Sequence, residues 1–390
     1  MGRQRRPGSL EAVPAYLDHA ATTPLRPEAL DAMVEVLSHG PGNPSGSHAA
    51  ARQAKRWLEE ARDTVADCLG CEPREVVFTG GGTEADNMAV RGAPARRPGA
   101  VVCGATEHHA VLRCTEALGG RTIPVDADGL VTPEAVVATL RALRPADVAV
   151  VSVMLVNNEV GTIQPLDEVA QAVRSTAPEA LVHTDAVQAV PWLDVGERAR
   201  QADLVSVSAH KFGGPQGVGA LVVRGRADVA PLLLGGGQER GHRSGTQNVA
   251  GIVGMAAALR RATADRAELV PRLGRLRHRL VDGILASVPQ AHETGRRDTK
   301  VAGIAHLRFH GIESEELLFL LDEAGVHASA GSSCASGATE ASHVLQAMGL
   351  AGPQPHGSVR FSLGWTTTDA DVDLALAAVT GVVRRLRRAA

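Results

Sequence analysis

The strongest constraint on the fold is an alternation of short β-branched runs with helix-like segments, which extends from about Glu75 to Arg224. The strand-like runs are 76–79, 100–104, 148–156, 181–184, 204–206 and 219–223. Helices are expected to begin near Thr83, Pro133 and Pro165, where Thr or Pro occupies a first turn. This alternation predicts an α/β fold with a mostly parallel central sheet. Ligands of such sheets bind beyond the carboxyl ends of the strands.

A different pattern begins after Gly251. A stretch rich in Arg, Leu and Ala over 255–286 predicts a long helix, and a strand-like run at 301–309 is followed by further helix–strand alternation. The chain has 390 residues, of which 44% are hydrophobic, so it can support two cores. The predicted units are a large domain over 19–262, a smaller C-terminal α/β domain over 263–390, and an N-terminal segment 1–18 that joins the small domain.

Charge and composition argue against nucleic acid or a membrane as a partner. The formal net charge is −3, and the chain has only three Trp, one Tyr and five Phe, so stacking platforms for single-stranded nucleic acid are scarce. The basic start, Met1 to Pro7, is not followed by the apolar run of a signal peptide, and no apolar stretch is long enough to span a bilayer. We therefore expect a cytoplasmic protein.

The five cysteines are an odd number at irregular positions, which is not typical of a disulfide framework. Cys334 lies in a loop-like segment of small and polar residues, where a thiolate can move and react. The other four cysteines lie in apolar or helical contexts. Cys68 and Cys71 form a single C-x-x-C motif, which favours packing over a zinc site when no second pair accompanies it. No metal site is predicted.

Lysine is rare in this chain, which contains only Lys55, Lys211 and Lys300. An arginine cannot serve as a Schiff-base nucleophile, so each lysine is a separate candidate. Lys211 follows the apolar strand-like run 203–207 and precedes Gly213. A lysine at a strand end, followed by glycines that let the backbone approach a ligand, suits a Schiff base with pyridoxal phosphate (PLP). A surface lysine is the alternative.

Two further features favour the same cofactor. Asp185 follows an apolar strand-like run, and a carboxylate there can pair with a protonated pyridine nitrogen, although a turn or helix-cap role is also common for such a residue. The run Gly80-Gly81-Gly82-Thr83-Glu84 lies between a strand-like run and a helical segment, where backbone N–H groups can face a phosphate. It matches neither the P-loop nor the dinucleotide-binding motif, so a nucleotide is not supported.

Eight segments together resemble the cysteine desulfurases. They occur in the family's order and with near-family spacing between about Ala15 and about Thr368. The segments are YLDHAATTP at 16–24, GNPS at 42–45, TEH at 106–108, VNNEVG at 156–161, DAVQ at 185–188, SAHK at 208–211, RGHRSGT at 240–246 and VRFS at 359–362. The resemblance implies the fold of class-V aminotransferase-like, fold-type I PLP enzymes. These are homodimers with sites at the subunit interface.

The resemblance also implies the cofactor contacts. Lys211 is then the Schiff-base lysine, Asp185 pairs with the pyridine nitrogen, and Gln188 contacts the ring hydroxyl. His108 stacks over the ring and handles protons. The phosphate ligands would be Gly82, Thr83, Ser208 and His210, with Thr246 reaching the phosphate of the partner subunit.

The implied reaction removes sulfur from L-cysteine, giving L-alanine and a persulfide on Cys334. Asn158 and Arg360 would hold the substrate carboxylate, a task that suits the bidentate fork of an arginine. The segment around Cys334 is similar to the subgroup with a long mobile loop, which favours delivery of sulfur to an acceptor protein that docks near that loop.

Several alternatives stay open at this point. Iron–sulfur cluster assembly is the commonest role in the family, but tRNA thiolation, sulfur insertion into cofactors or natural products, and DNA sulfur modification use similar enzymes. A selenocysteine lyase, an aminotransferase and a catalytically silent docking scaffold are the rival functions. The joint presence of Lys211, Asp185, His108 and Cys334 argues against a silent scaffold.

Overall fold

In the computed structural model of the chain, the described residues are 13–330, 342–350 and 356–389. The strands are β1 (Ala15–Tyr16), β2 (Val76–Thr79), β3 (Ala100–Gly104), β4 (Arg121–Ile123), β5 (Val148–Ser152), β6 (Leu181–Asp185), β7 (Leu204–Ser208), β8 (Gly219–Val223), β9 (Ala291–Glu293), β10 (Ile304–His310), β11 (Val326–His327) and β12 (His356–Ser362). The helices are α1 (Pro27–Ser38), α2 (Ala49–Leu69), α3 (Gly82–Arg96), α4 (His109–Ala117), α5 (Pro133–Ala142), α6 (Leu166–Thr176), α7 (Val195–Arg198), α8 (Val249–Ser287), α9 (Ser314–Glu323), α10 (His343–Ala347) and α11 (Asp369–Ala389).

The central sheet has seven strands in the order β2-β8-β7-β6-β5-β3-β4. The neighbours from β7 to β4 pair in parallel, whereas β8 pairs antiparallel with both β7 and β2. The predicted α/β class with a mostly parallel sheet is therefore confirmed. The predicted strand 148–156 was too long, because the ladder of β5 ends at Ser152 and Val156 forms only an isolated bridge with Ile163. The sequence pattern placed the end of the strand too late because residues 153–156 are as apolar and buried as the strand itself.

Helices cover both faces of this sheet, which explains why its strands are apolar at nearly every position. On one face, Val77 and Leu221 pack in a cluster with Met88 of α3. On the other face, Phe78 and Val205 belong to the main core. Each Val or Leu side chain removed from water in this way contributes about 1.5–3 kcal/mol to the free energy of folding.

The C-terminal part is organised around a second sheet and two long helices. Strands β9, β10 and β12 form an antiparallel sheet in the order β12-β10-β9, and α8 and α11 are in contact. Strand β1 pairs in parallel with β11, so the described start of the chain lies against this part. Helix α8 runs without interruption across 262/263, and the domain boundary at that point stays a prediction.

No described helix combines the length and apolarity needed to cross a membrane. Cys68 and Cys71 are partly buried and pack against the main core.

Candidate active site

A cavity of about 340 Å³ opens beyond the carboxyl ends of the central strands. Ten of the residues predicted for the site line it, and they come from loops after β2, β3, β5, β6 and β7 and from β12. They are Gly82, Thr83, His108, Asn158, Asp185, Gln188, Ser208, His210, Lys211 and Arg360. Segments far apart in sequence therefore meet in one place, as expected for a parallel sheet.

One end of the cavity is formed by the N-terminus of α3. Gly81 precedes this helix with a φ of 144°, a conformation that favours glycine. A Cβ built on Gly82 would lie 2.7 Å from Val187 Cγ2 and 3.3 Å from Ser208 Cβ, so a side chain at this position would require Val187 to shift. Free backbone N–H groups and the helix dipole make such a terminus suited to a phosphate. His210 lies nearby and its Nδ1 is 3.2 Å from Thr22 Oγ1.

Lys211 lies in a short 3₁₀ turn that follows β7 directly. Its Nζ donates hydrogen bonds to the carbonyl oxygens of Ala20, at 2.6 Å, and Ala21, at 2.9 Å. Gln188 Nε2 donates to the same Ala20 oxygen at 2.7 Å. These carbonyls belong to the segment between β1 and α1, which therefore places the amine at the cavity wall.

Asp185 is the last residue of β6 and is buried. Its Oδ1 accepts a hydrogen bond from the backbone N–H of Val187 at 2.8 Å. Burial raises the pKa of this carboxyl to about 6, while the Val187 N–H and the Lys211 ammonium oppose that rise. A cationic ring nitrogen placed beside Asp185 would favour its ionised form further.

His108 caps the N-terminus of α4, and its Nδ1 accepts a hydrogen bond from Ala110 N at 3.1 Å. Because Nδ1 is the acceptor, the proton of the neutral ring is on Nε2. Burial lowers the pKa of His108 to about 4, and the positive charge of Lys211 and the ring of His343 add to the effect. The ring is therefore neutral at physiological pH and has an N–H at Nε2.

Arg360 lines the cavity from β12 and is 1% exposed. Its Nη1 donates to the carbonyl oxygen of Asn158 at 2.9 Å, and its Nη2 donates to Asp18 Oδ1 at 2.7 Å. Within the described residues, Nε has no hydrogen-bond partner. Sequence reasoning gave no role to Asp18, although the residue belongs to the motif at 16–24 that carries the resemblance.

Asp86 was also missed. This residue of α3 lines the cavity, and its Oδ1 has no hydrogen-bond partner within the described residues. Its signal in the sequence is an acid among the apolar residues Ala85, Met88 and Ala89 of a helix that begins at the glycine-rich turn.

Of the predicted residues that the structure describes, Thr246 is the one that does not line this cavity. Thr246 lines a separate cavity of about 120 Å³ with Glu239 and Arg243, so it does not face the Lys211 site of its own chain. Cys334 falls in 331–341, outside the described residues.

The family model for aminotransferase class V matches residues 15–375. The chain belongs to this family, and within it to the cysteine desulfurases. It is 46% identical to the IscS-like cysteine desulfurase of Mycobacterium tuberculosis, covering 96% of this chain and 98% of that relative. It is 41% identical to cysteine desulfurase IscS of Methanosarcina thermophila, covering 97% and 94%.

Solved structures agree with this assignment. A NifS-like protein superposes on the desulfurase with a TM-score of 0.88 at 34% identity, covering 96% of this chain and all of the other. SspA in complex with cysteine superposes with a TM-score of 0.76 at 30% identity, covering 90% of this chain and 98% of the other. The desulfurase is thus a PLP-dependent enzyme that acts on L-cysteine, as predicted.

The residues present fit PLP. The N-terminus of α3, where Gly82 lies close to Val187 and Ser208, suits its phosphate. Lys211 and Asp185 line the same cavity, which supplies an amine for the aldehyde and a carboxylate for the pyridine nitrogen.

Proposed function

We propose that the residues around this cavity have the roles in desulfuration that the resemblance to the cysteine desulfurases implies. The observation that carries the proposal is the lining of one cavity by a lysine, a buried carboxyl, a neutral histidine and a buried arginine. Lys211 would hold the cofactor, and Gly82, Thr83, Ser208 and His210 would hold its phosphate. Gln188 would contact the ring hydroxyl.

The substrate would bind in the part of the cavity that Arg360 lines. Its guanidinium is buried, so the charge is little screened by water and attracts a carboxylate strongly. Asp18 and the Asn158 carbonyl hold Nη2 and Nη1 and fix the plane of the group. We propose that the carboxylate of L-cysteine binds here, with the side chain of Asn158 as a second contact.

When it is bound, PLP supplies an electron sink that stabilises negative charge at the α-carbon of the substrate. Asp185 supports this chemistry because a carboxylate beside the ring nitrogen keeps that nitrogen protonated. Lys211 Nζ and His108 are the groups in the cavity that we propose to exchange protons. His108 meets the substrate as a hydrogen-bond donor at Nε2, and to take up a proton there it must first change tautomer and release Ala110 N–H.

We propose that Cys334 receives the sulfur. Its thiolate would attack the sulfur of the bound substrate, forming an S–S bond while the C–S bond breaks. The electron pair of the broken bond stays with the carbon fragment, which takes up protons and leaves as L-alanine. The sulfur atom remains on Cys334 as a persulfide, ready for an acceptor protein that docks near the segment 331–341.

A homodimer is the second part of the proposal. Thr246 does not line the Lys211 cavity of its own chain, which supports a contact with the phosphate of the partner subunit. Leu30, Val34 and Leu37 form an exposed apolar stripe at helical spacing on α1, with exposed fractions of 49%, 50% and 68%. Exposed apolar stripes of this kind mark interfaces.

Iron–sulfur cluster assembly in the cytoplasm is the pathway that we propose for the persulfide. It is the commonest role in the cysteine desulfurase family, to which the chain is similar over nearly its whole length. Sulfur modification of DNA, which similar enzymes serve, is the second candidate. Transfer of labelled sulfur to a purified cluster scaffold protein, compared with transfer to DNA-modification partners, distinguishes the two.

The division of roles is tested by comparing Lys211→Ala with Lys55→Ala, since Lys55 is an exposed lysine on α2. The visible absorption of bound PLP and the release of alanine from L-cysteine are measured for both variants. Lys211→Ala is expected to lose the visible band of the lysine-bound cofactor and alanine formation, and Lys55→Ala to keep both. Alanine formation at the wild-type rate in Lys211→Ala would overturn the proposal.

A further inference from the structure

Asp86 is an acidic residue in a buried position, where ionisation of the side chain costs free energy. It is 1% exposed, it lies on the first turns of α3, and it lines the same cavity as Asp185. Its Oδ1 has no hydrogen-bond partner within the described residues. An ionised carboxylate without a partner in such a site costs several kcal/mol, whereas a neutral carboxylic acid does not.

The groups around Asp86 do not supply a positive charge. Asp185 and Glu107 are the ionisable side chains that act on it, and a negative charge on either opposes its ionisation. The ring of His183 approaches, with Nε2 at 3.7 Å from Asp86 Oδ1. Full burial lowers the pKa of His183 to about 3, so this ring is neutral. Burial and the Asp185 carboxylate therefore raise the pKa of Asp86 well above its usual range.

Asp185 is better equipped to carry the negative charge. It accepts a hydrogen bond from Val187 N, and the ammonium of Lys211 favours its ionised form before the cofactor binds. Asp86 has only a hydrogen bond with the Ser206 hydroxyl to stabilise its charged form. Two buried carboxyls that act on one another do not both ionise, and the proton goes to the one with fewer donors.

We propose that Asp86 remains a protonated carboxylic acid beside Asp185 and acts as a positioning residue that confines the negative charge to Asp185. The inference rests on the proposed role of Asp185 opposite the pyridine nitrogen. The inference adds Asp86 to the proposed cofactor site. With Asp86 protonated, the cofactor would face one carboxylate at a fixed place, and the negative charge would not be shared between two positions.

The protonated state also gives one consistent order of hydrogen bonds behind the cavity. His183 Nε2 lies 3.0 Å from Ser206 Oγ, and His183 Nδ1 lies 2.8 Å from Ser152 Oγ. A protonated Asp86 can donate to Ser206, which then donates to Nε2, and Nδ1–H donates to Ser152. In this order the donors of Asp86, Ser206 and His183 each have an acceptor, and no ion is needed.

Infrared spectroscopy of the holoenzyme tests the protonation directly, because the carbonyl stretch of a carboxylic acid is separate from that of a carboxylate. Aspartate labelled with ¹³C at the side-chain carboxyl shifts the Asp contribution away from that of Glu107, whose buried carboxyl is also expected to be protonated. At neutral pH we expect a carboxylic acid band from labelled Asp that Asp86→Asn removes. Glu107→Gln should leave this band in place.

Loss of the labelled band in Asp185→Asn with its retention in Asp86→Asn would overturn the proposal, because the proton would then be on the wrong residue. Absence of the band from the wild-type holoenzyme would overturn it as well, and this measurement does not depend on the folding of any variant. If the band behaves as expected but Asp185→Asn leaves the visible spectrum of PLP unchanged, the role of Asp185 fails while the protonation of Asp86 stands.

The positioning role has its own test in the visible spectrum of bound PLP. Asp86→Asn keeps a neutral hydrogen-bonding group, so it should preserve the band and the pH midpoint at which the band changes. Asp86→Ala opens space for water beside Asp185 and should shift that midpoint. Equal midpoints in the wild type and both variants would show that Asp86 does not position Asp185. A shift of the midpoint in Asp86→Asn equal to that in Asp86→Ala would show that a neutral hydrogen-bonding group at this position does not replace the protonated acid.

Discussion

Asp18 Oδ1 accepts a hydrogen bond from Arg360 Nη2 at 2.7 Å, which joins the segment before α1 to strand β12 across 342 positions of sequence. The guanidinium is buried and the carboxylate is partly exposed, so the pair lies at the boundary between the protein interior and the cavity. The contact leaves Nε–H and one N–H on each terminal nitrogen outside the hydrogen bonds to Asp18 and Asn158, and it fixes the plane of the group before substrate arrives.

We predict that Asp18→Asn raises the KM for L-cysteine by about tenfold with a smaller change in kcat, since a tenfold change corresponds to the loss of one charge-assisted hydrogen bond of about 1.4 kcal/mol. Steady-state kinetics with quantified alanine provide the measurement. Arg308→Lys, on the neighbouring strand β10, is the control, because Arg308 does not line the cavity. A change confined to kcat in Asp18→Asn would contradict a role in holding the substrate carboxylate.

The sequence predicted that Asp185 and Lys211 follow strands, and the structure has them at the end of β6 and just after β7, whereas their roles stay predictions. Asp185 and Lys211 each follow an apolar run, and parallel strands bring the carboxyl ends of such runs together. Asp18 and Asp86 were missed because their roles depend on partners that only the tertiary structure brings near, Arg360 in one case and Asp185 in the other.

The sequence predicted the fold where an element is long enough to show a pattern. The alternation over 75–224 predicted the central sheet, but the short strand β4 and the pairing of β1 with β11 carry too few residues to show a period. The end of β5 was placed late because burial continues beyond its ladder.

Glu159 gives the desulfurase a stability that depends on pH. Burial raises the pKa of this carboxyl to about 7, while Ser342 donates to its Oε2 at 2.8 Å. A carboxyl with a raised pKa in the folded state stabilises the fold at low pH, and this contribution is lost as the pH rises through about 7. We predict that this group lowers the unfolding free energy of the wild type by about 2.5 kcal/mol between about pH 5 and about pH 8, and that Glu159→Gln abolishes this decrease.

Urea unfolding of the wild type and Glu159→Gln at both pH values measures this difference, because the other titrating groups cancel in the comparison. Glu168→Gln serves as the control, since Glu168 is exposed on α6. A stability difference between wild type and Glu159→Gln that does not change with pH would contradict the prediction.

The apolar stripe on α1 predicts the effect of a charge at the proposed interface. Leu37→Asp should shift the enzyme from dimer to monomer in sedimentation experiments, because a desolvated carboxylate opposes association. The monomer should also release PLP faster than the dimer, since Thr246 would no longer reach the phosphate of the partner subunit. Phe319→Asp is the control, as Phe319 is exposed on α9, away from α1. Dimers of unchanged stability in Leu37→Asp would place the interface elsewhere.

The central claim is that sulfur passes from L-cysteine to Cys334 while Lys211 holds the cofactor. A single turnover of the holoenzyme with L-cysteine, without reductant, followed by mass spectrometry of the intact chain and its peptides, tests it most directly. The account predicts one added sulfur atom on the peptide that contains Cys334, one equivalent of alanine, and neither in Cys334→Ala, which should keep the visible band of bound PLP. Alanine formation at the wild-type rate in Cys334→Ala, or sulfur on Cys68, Cys71, Cys103 or Cys114 instead, would contradict it.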